Sequence, residues 1–292
     1  SSREIAMLKR TDRVLLAVRD RKSAARNFID LLGAQVARET TSAHLGVDRT
    51  VLAIGESEFE LCQPVSNGPI SRHIERWGEG LYAGGVSTAD LGAMQKHLDA
   101  EKVRTVVEGD QVFLDPEQGF GARIVVSQHR ERPKAPGPIN YLYEFTNALN
   151  SDWRKASAYY TRIFGLDPSR FHPLNSHKWG YEGTLTLFNP PERLDRIELS
   201  ETHDTNFAMG RFVAKRGDSL YMCFVDANNV PEIVERLQRA KARWTPRTPR
   251  EASERHGLFV HPSALNGLLL GVSRRSLAWE WSGRPDLIEQ LA

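Results

Sequence analysis

The sequence predicts an α+β fold: four βαβββ modules forming two tandem curved-sheet domains. The first observation is a long internal repeat. RWGEGLYAGGVSTADLGAMQKHLDAEKVR matches KRGDSLYMCFVDANNVPEIVERLQRAKAR, pairing Gly78 with Gly217, Tyr82 with Tyr221 and Arg104 with Arg243 at one constant offset. The second is that the match extends outward with a drifting offset, as insertions between equivalent elements produce. ARNFIDLLG aligns with SAYYTRIFG (Gly33 with Gly165), FELCQP with IELSET (Glu60 with Glu198), and DPEQGFGARIVVS with HPSALNGLLLGVS (Gly121 with Gly267). The last step places a seven-residue insertion in the Thr245–Arg255 loop. The third is that each half divides again into one strand, one helix and three strands.

In order along the chain, Val14–Val18 is a short apolar run and reads as a strand. Ser23–Leu32 places Ala24, Phe28, Leu31 and Leu32 at helical spacing and stops at Gly33. Gln35–Leu45, Thr50–Ile54 and Phe59–Gln63 read as three strands with polar punctuation. The second module repeats this as a strand at Leu81–Ser87, a helix at Asp90–Glu101, and strands at Thr105–Val107, Gln111–Leu114 and Ala122–Ser127. HRERPKAPGP, residues 129–138, carries three prolines among charges and reads as a linker, giving domains 1–130 and 138–292. In the third module Ile139–Thr146 is a strand and Trp153–Phe164 a helix, with Tyr160 and Phe164 where Phe28 and Leu32 sit. In the fourth, Ser219–Val225 is a strand and Val230–Ala240 a helix opened by Pro231. A short helix over Asp286–Leu291 is expected to close the chain, with Trp279 and Trp281 anchoring the tail.

Composition narrows the function classes. A net charge of +2, from 39 basic and 37 acidic residues, predicts no nucleic-acid or anionic-membrane partner. No apolar run approaches the length of a membrane span. SSREIAMLKR lacks the apolar core and cleavage site of a secretory signal. Cys62 and Cys223 stand alone in apolar stretches, which reads as buried free thiols and a cytoplasmic location.

Four paired βαβββ units, the stretch GPISRHIERWGEGLYAGGVSTADL with its helix leading into G-E-G-L, and FVHPSALNGLLLGV with its His-Pro turn resemble the vicinal oxygen chelate superfamily. That superfamily includes glyoxalase I, bleomycin-resistance proteins, methylmalonyl-CoA epimerase and extradiol dioxygenases, and the resemblance runs from about Asp12 to Ser273. It implies a divalent metal held by histidines on the first strands and carboxylates on the last strands of paired units. Here the histidine position of the first unit falls at Arg13, those of the second at Tyr82 and Ala83, and that of the third at Tyr141 or Tyr143. The last-strand carboxylates survive as Glu60 and Glu198, but the second unit has Val125. Arginine does not give up its proton to bind a metal, and alanine and valine have no donor atom. No metal or other cofactor is therefore expected. The nine histidines form no close pair, and His73 and His97 fall on helices as solvated residues.

The residues at those positions still suggest chemistry. A desolvated Glu198 can act as a base near neutral pH, and buried phenols of Tyr141, Tyr143 or Tyr221 can donate to an oxyanion. Glu144 points away from Tyr143 and is expected to be exposed or packed against the partner unit. Trp179, His261 and Arg211 are candidate ligand contacts. The expected function is metal-independent lyase or isomerase chemistry beside the carbonyl of a small aromatic or acyl-type molecule, held in the cavity of the second domain. A drug-sequestering binding protein and a dioxygenase-like enzyme with relocated metal ligands are the alternatives. The resemblance implies edge-to-edge pairing of units, met either by a homodimer or by the tandem units within one chain.

Overall fold

The computed structural model describes residues 8–247 and 256–290. The first module is β1 (Leu8–Ala17), α1 (Arg21–Leu32), β2 (Gln35–Ser42), β3 (Val47–Ile54) and β4 (Ser57–Pro64). Helix α2 (Pro69–Trp77) leads into the second: β5 (Gly80–Thr88), α3 (Leu91–Ala100), β6 (Thr105–Glu108), β7 (Gln111–Leu114) and β8 (Ile124–Gln128). The third is β9 (Ile139–Leu149), α4 (Trp153–Phe164), β10 (His172–Ser176), β11 (Tyr181–Leu185) and β12 (Arg196–Glu201). Helix α5 (Ala208–Arg216) repeats α2, and the fourth module is β13 (Ser219–Ala227), α6 (Val230–Arg239), β14 (Trp244–Pro246), β15 (Gly257–Val260) and β16 (Leu270–Arg274).

The strands form two eight-stranded sheets, ordered β2-β3-β4-β1-β5-β8-β7-β6 and β10-β11-β12-β9-β13-β16-β15-β14. The second order is the first shifted by one half-chain, so the repeat read in the sequence is a repeat of topology. Within each module the fourth strand lies parallel to the first, as β4 to β1 and β12 to β9, while the remaining pairs are antiparallel hairpins. The chain packs into two compact units, one holding 83–130 with 144–221, the other 12–82, 131–143 and the residues from 222 onward. The sheets follow the sequence halves, and each packing unit draws on both halves.

Capping chemistry sets the helix bounds. Asp20 accepts hydrogen bonds from the Lys22 and Ser23 amides, and Gly33 closes α1 at φ 68°, where a side chain would be strained. Asp152 and Gly165 do the same for α4, in the expected bounds. The buried stripe of α4 includes Tyr160, Ile163 and Phe164, and the Tyr160 hydroxyl donates to Asn147 Oδ1 on β9 at 2.7 Å. Tyr160→Phe should therefore cost about 1–3 kcal/mol in urea unfolding, because it leaves a buried amide oxygen without its donor.

Three expectations are corrected. His73 is 6% exposed rather than solvated, because its ring packs edge-on to Tyr82 with centroids 5.4 Å apart. His97 is half-buried, with its Nε2 donating to the Arg162 carbonyl at 2.8 Å. The chain ends in two 3₁₀ turns, Leu277–Trp281 and Pro285–Leu287, instead of a helix over Asp286–Leu291. Trp279 is buried there, and the Arg247 guanidinium lies 3.7 Å over the Trp281 ring. Most of the Thr245–Arg255 insertion lies outside the described residues. Cys62 and Cys223 are buried free thiols. Among the described residues no helix is long and apolar enough to cross a membrane.

Candidate functional site

The site grows from the parallel ladder of β9 and β12, which sets Glu144 opposite Arg196, Thr146 opposite Glu198 and Ala148 opposite Ser200. Side chains alternate along a strand, so these six share one face. Phe145, Asn147, Ile197 and Leu199 take the other, where Tyr160 of α4 meets Asn147. On the face away from α4, Glu198 is 5% exposed and surrounded by hydroxyls. Thr146 Oγ1 donates to its Oε2 at 3.1 Å and Ser200 Oγ to the same oxygen at 3.0 Å. Oε1 takes no hydrogen bond among the described residues. Burial, reinforced by the charge of Glu144, pushes the Glu198 carboxyl up to about 8 against the pull of the hydroxyls and Arg196. Its affinity for a proton is thus raised toward the neutral range.

Of the two expectations for Glu144, exposed or packed against a neighbouring unit, exposure is overturned. It is 1% exposed because it closes a buried ion pair with Arg196, Nε to Oε1 at 2.7 Å. Arg196 is itself fully buried and also donates to the Leu194 carbonyl at 2.9 Å.

The first module shows what the same positions do with different residues. There the ladder of β1 and β4 sets Arg13 opposite Glu58 and Leu15 opposite Glu60. Glu60, the counterpart of Glu198, meets two guanidiniums, Arg13 at 3.4 Å and Arg49 at 3.1 Å. Glu58 takes Arg38 at 3.0 Å and Arg132 at 3.2 Å. Asp12 takes Arg13 at 2.8 Å and Arg132 at 2.9 Å. Burial works against the Asp12 and Glu58 carboxylates, but these arginines outweigh it and hold both below the usual carboxylate range. In the third module the glutamate is kept and the residues around it are changed. Arg13 and Glu58 become Glu144 and Arg196, with the charges exchanged. Arg49, opposite Cys62, becomes Gly183, opposite Ser200. A Cβ at Gly183 would strike the Leu199 carbonyl, so β11 brings no side chain to that spot. Glu198 is left with hydroxyl donors where Glu60 has arginines.

Beyond Ala148 and Gly183 the same face turns aromatic. Met209, Val213 and Phe212 of α5 pack there with Ala148, Tyr181 and Tyr221. Tyr221 and Phe212 meet edge-to-face with centroids 4.8 Å apart. Burial raises the Tyr221 phenol above its ordinary value, opposed by Arg211. Glu198 and Tyr221 therefore share one unit, and Arg211 and Trp179 belong to it too. Arg211 donates to the Thr205 carbonyl at 3.0 Å, and Trp179 is 44% exposed with the Lys178 ammonium 4.8 Å over its ring. Tyr141, Tyr143 and His261 belong to the other unit. There the Tyr143 hydroxyl is hydrogen-bonded to Ser273 Oγ at 2.9 Å, and Tyr141 is half-buried. Burial and Arg243 hold the His261 imidazole below its usual value, and its Nε2 lies 3.4 Å from Thr245 Oγ1. Along β9 both tyrosines alternate with Glu144 and Thr146. The residues the sequence reading missed are Thr146, Ser200, Arg196 and Gly183. The one signal for them was the alignment that relates Glu60 to Glu198, carried through to its neighbours.

Known structures share this architecture. A mutant of 4-hydroxymandelate synthase from Streptomyces coelicolor superposes with a TM-score of 0.71 at 16% identity, over 92% of this chain and 93% of that one. The chain has the tandem vicinal oxygen chelate fold. A xylose isomerase-like TIM barrel/4-hydroxyphenylpyruvate dioxygenase fusion protein shares the fold with a TM-score of 0.64 at 13% identity, over 93% of this chain and 49% of the other. Methylmalonyl-CoA epimerase from Mycobacterium tuberculosis matches 45% of the chain at 25% identity with a TM-score of 0.40. No family model and no curated protein matches the sequence.

The vicinal oxygen chelate fold implies a divalent metal, and the residues present do not suit one. Among the described residues no three of His, Cys, Asp and Glu gather as a ligand set. Glu60 is neutralised by guanidiniums, and Glu198 has a raised affinity for a proton and lies beside hydroxyls rather than imidazoles.

Proposed function

We propose that this chain is a metal-independent enzyme of the vicinal oxygen chelate fold. Its reaction is of lyase or isomerase type, beside the carbonyl of a small aromatic or acyl-type molecule, with Glu198 as the acid–base group. One observation carries the reading. Glu198 is buried, keeps Oε1 clear of hydrogen bonds among the described residues, and has its proton affinity raised toward the neutral range because burial and Glu144 disfavour its charge. A group with its proton affinity near the working pH can both give and take a proton efficiently. In its ionised form it takes the α-hydrogen of the carbonyl compound as a proton, leaving an enolate, and in the reverse step it returns a proton to that carbon. Tyr221, on the aromatic side of the same unit, is the donor for a developing oxyanion. Tyr181 and Phe212 supply the apolar surface for an aromatic or acyl group.

The test is exchange of α-hydrogens for deuterium in a panel of aromatic and acyl carbonyl compounds, followed by product analysis. Compounds that stabilise the protein thermally are expected to exchange. Glu198→Gln should slow exchange by about 10²- to 10⁴-fold while leaving the thermal stabilisation in place. Full exchange in Glu198→Gln, or exchange that requires one equivalent of a metal, overturns the reading. The aromatic cluster of Tyr181, Phe212 and Tyr221 also favours a second reading, a protein that sequesters a flat ligand without turnover. Stabilisation without exchange or product in the unaltered protein selects it.

A further inference from the structure

We propose that Glu144 and Arg196 are positioning residues that keep the proton of this site on Glu198 rather than sharing it between two carboxyls, and that the Thr146 hydroxyl directs that proton to Oε1 while loosening the hold on it. The inference deepens the acid–base reading of Glu198 and rests on it. Its basis is a charge count and a hydroxyl. Two buried carboxyls, Glu144 and Glu198, face a single guanidinium, so one carboxyl can be neutralised by Arg196 and the other must be neutralised by a proton. Geometry assigns the roles. Arg196 Nε lies 2.7 Å from Glu144 Oε1, and both side chains are sealed from solvent. The hydrogen-bond donors to Glu198 are the Thr146 and Ser200 hydroxyls.

Thr146 joins the two carboxyls. Its Oγ1 lies 3.1 Å from Glu198 Oε2 and 3.4 Å from Glu144 Oε2. A hydroxyl has one hydrogen, so it donates to one carboxyl at a time, and the shorter contact gives that donor to Glu198. The proton of Glu198 then belongs on Oε1. The largest charge effects on Glu198 come from Glu144 on β9 and Arg196 on β12. On β10, His172 is held below its usual value by burial and by Arg196, so it adds no cation near neutrality. From β13 and α5, Tyr221 and Arg211 face the aromatic end, where Tyr221 is kept neutral by burial. The raised affinity of Glu198 for its proton agrees with this arrangement.

The experiment follows the protonated carboxyl of Glu198 by infrared difference spectroscopy of the whole protein against Glu198→Gln, across pH and without substrate. Glu144→Gln frees the Arg196 charge to act on Glu198, and its titration should fall by roughly 1–3 pH units. Thr146→Val removes a donor to the charged form and should move the titration upward, and Thr146→Ser should restore it. The Thr146 pair decides the matter if Glu144→Gln does not fold. A Glu198 titration unchanged in Glu144→Gln overturns the proposal, as does one unchanged in Thr146→Val. Unimpaired exchange in Glu198→Gln would instead overturn the acid–base reading, so the two fail on different measurements.

Discussion

Arg196→Ala is expected to destabilise the protein by about 3–5 kcal/mol, among the largest effects of a single substitution in this chain. The guanidinium has no solvent exposure, and its buried contacts include Glu144 at 2.7 Å and the Leu194 carbonyl at 2.9 Å. Its removal strands the Glu144 carboxylate in a medium that cannot solvate it. Pairing Arg196→Met with Glu144→Leu should recover most of the loss, since the cost lies in the unpaired charge and not in the absence of the pair. Urea unfolding with an unchanged m-value reads both effects. The exposed helix pair Arg239–Glu235, 2.7 Å apart at the surface of α6, provides the contrast, and its removal should change stability by less than about 1 kcal/mol. A loss in Arg196→Ala no larger than this would show that the buried pair is spare.

Stability is expected to decline as pH rises from about 5 to 8, and Glu198→Gln should remove most of that decline. The folded state holds the Glu198 proton up to about pH 8, above the ordinary value of 4.5 in the unfolded chain. Between those values the native state binds one proton more than the unfolded state. The free energy of unfolding therefore falls with pH, by up to about 1.4 kcal/mol per unit. Its contribution is fully present below the unfolded value and lost through the folded one. Asp226, raised by burial, adds a decline of the same sign that Glu198→Gln leaves in place. Asp12 and Glu58 act in the opposite sense. Their folded values lie below the ordinary range, so the stability they supply is present above it and lost as pH falls. Denaturant midpoints across pH should show a maximum between these limbs. An alkaline limb identical in Glu198→Gln would place the proton elsewhere.

The architecture was legible in the sequence because it depends on local period and on self-similarity. Asp152, the apolar spacing of Tyr160 and Phe164, and Gly165 mark α4 without reference to anything distant. Glu198 was legible through its relation to Glu60. Its surroundings were not, because they depend on a parallel ladder between strands far apart in the chain, which no local pattern reports. The family's histidine position was read at Tyr141 or Tyr143, but the ladder gives Glu144 as the counterpart of Arg13. Carrying the helix match of Gly33 with Gly165 back to the strand would give Phe145 instead. A one-residue difference in the loop between strand and helix is enough to exchange the two faces of a strand. The burial of Arg196 was not legible for the same reason. Nothing in RIELSE says that its first residue meets Glu144, 52 positions earlier, out of reach of water.

The exchange of Arg13–Glu58 for Glu144–Arg196 also bears on how a duplicated chain avoids assembling wrongly. Two near-copies of one strand order could trade partners while folding, β1 lying against β12 and β9 against β4. The reversed polarity makes both errors repulsive. The first would set Arg13 against Arg196, and the second Glu144 against Glu58. Like charges forced together away from water cost several kcal/mol, so only the correct pairing of halves closes its ion pairs. The opposite sense of the two buried salt bridges thus disfavours both mispairings.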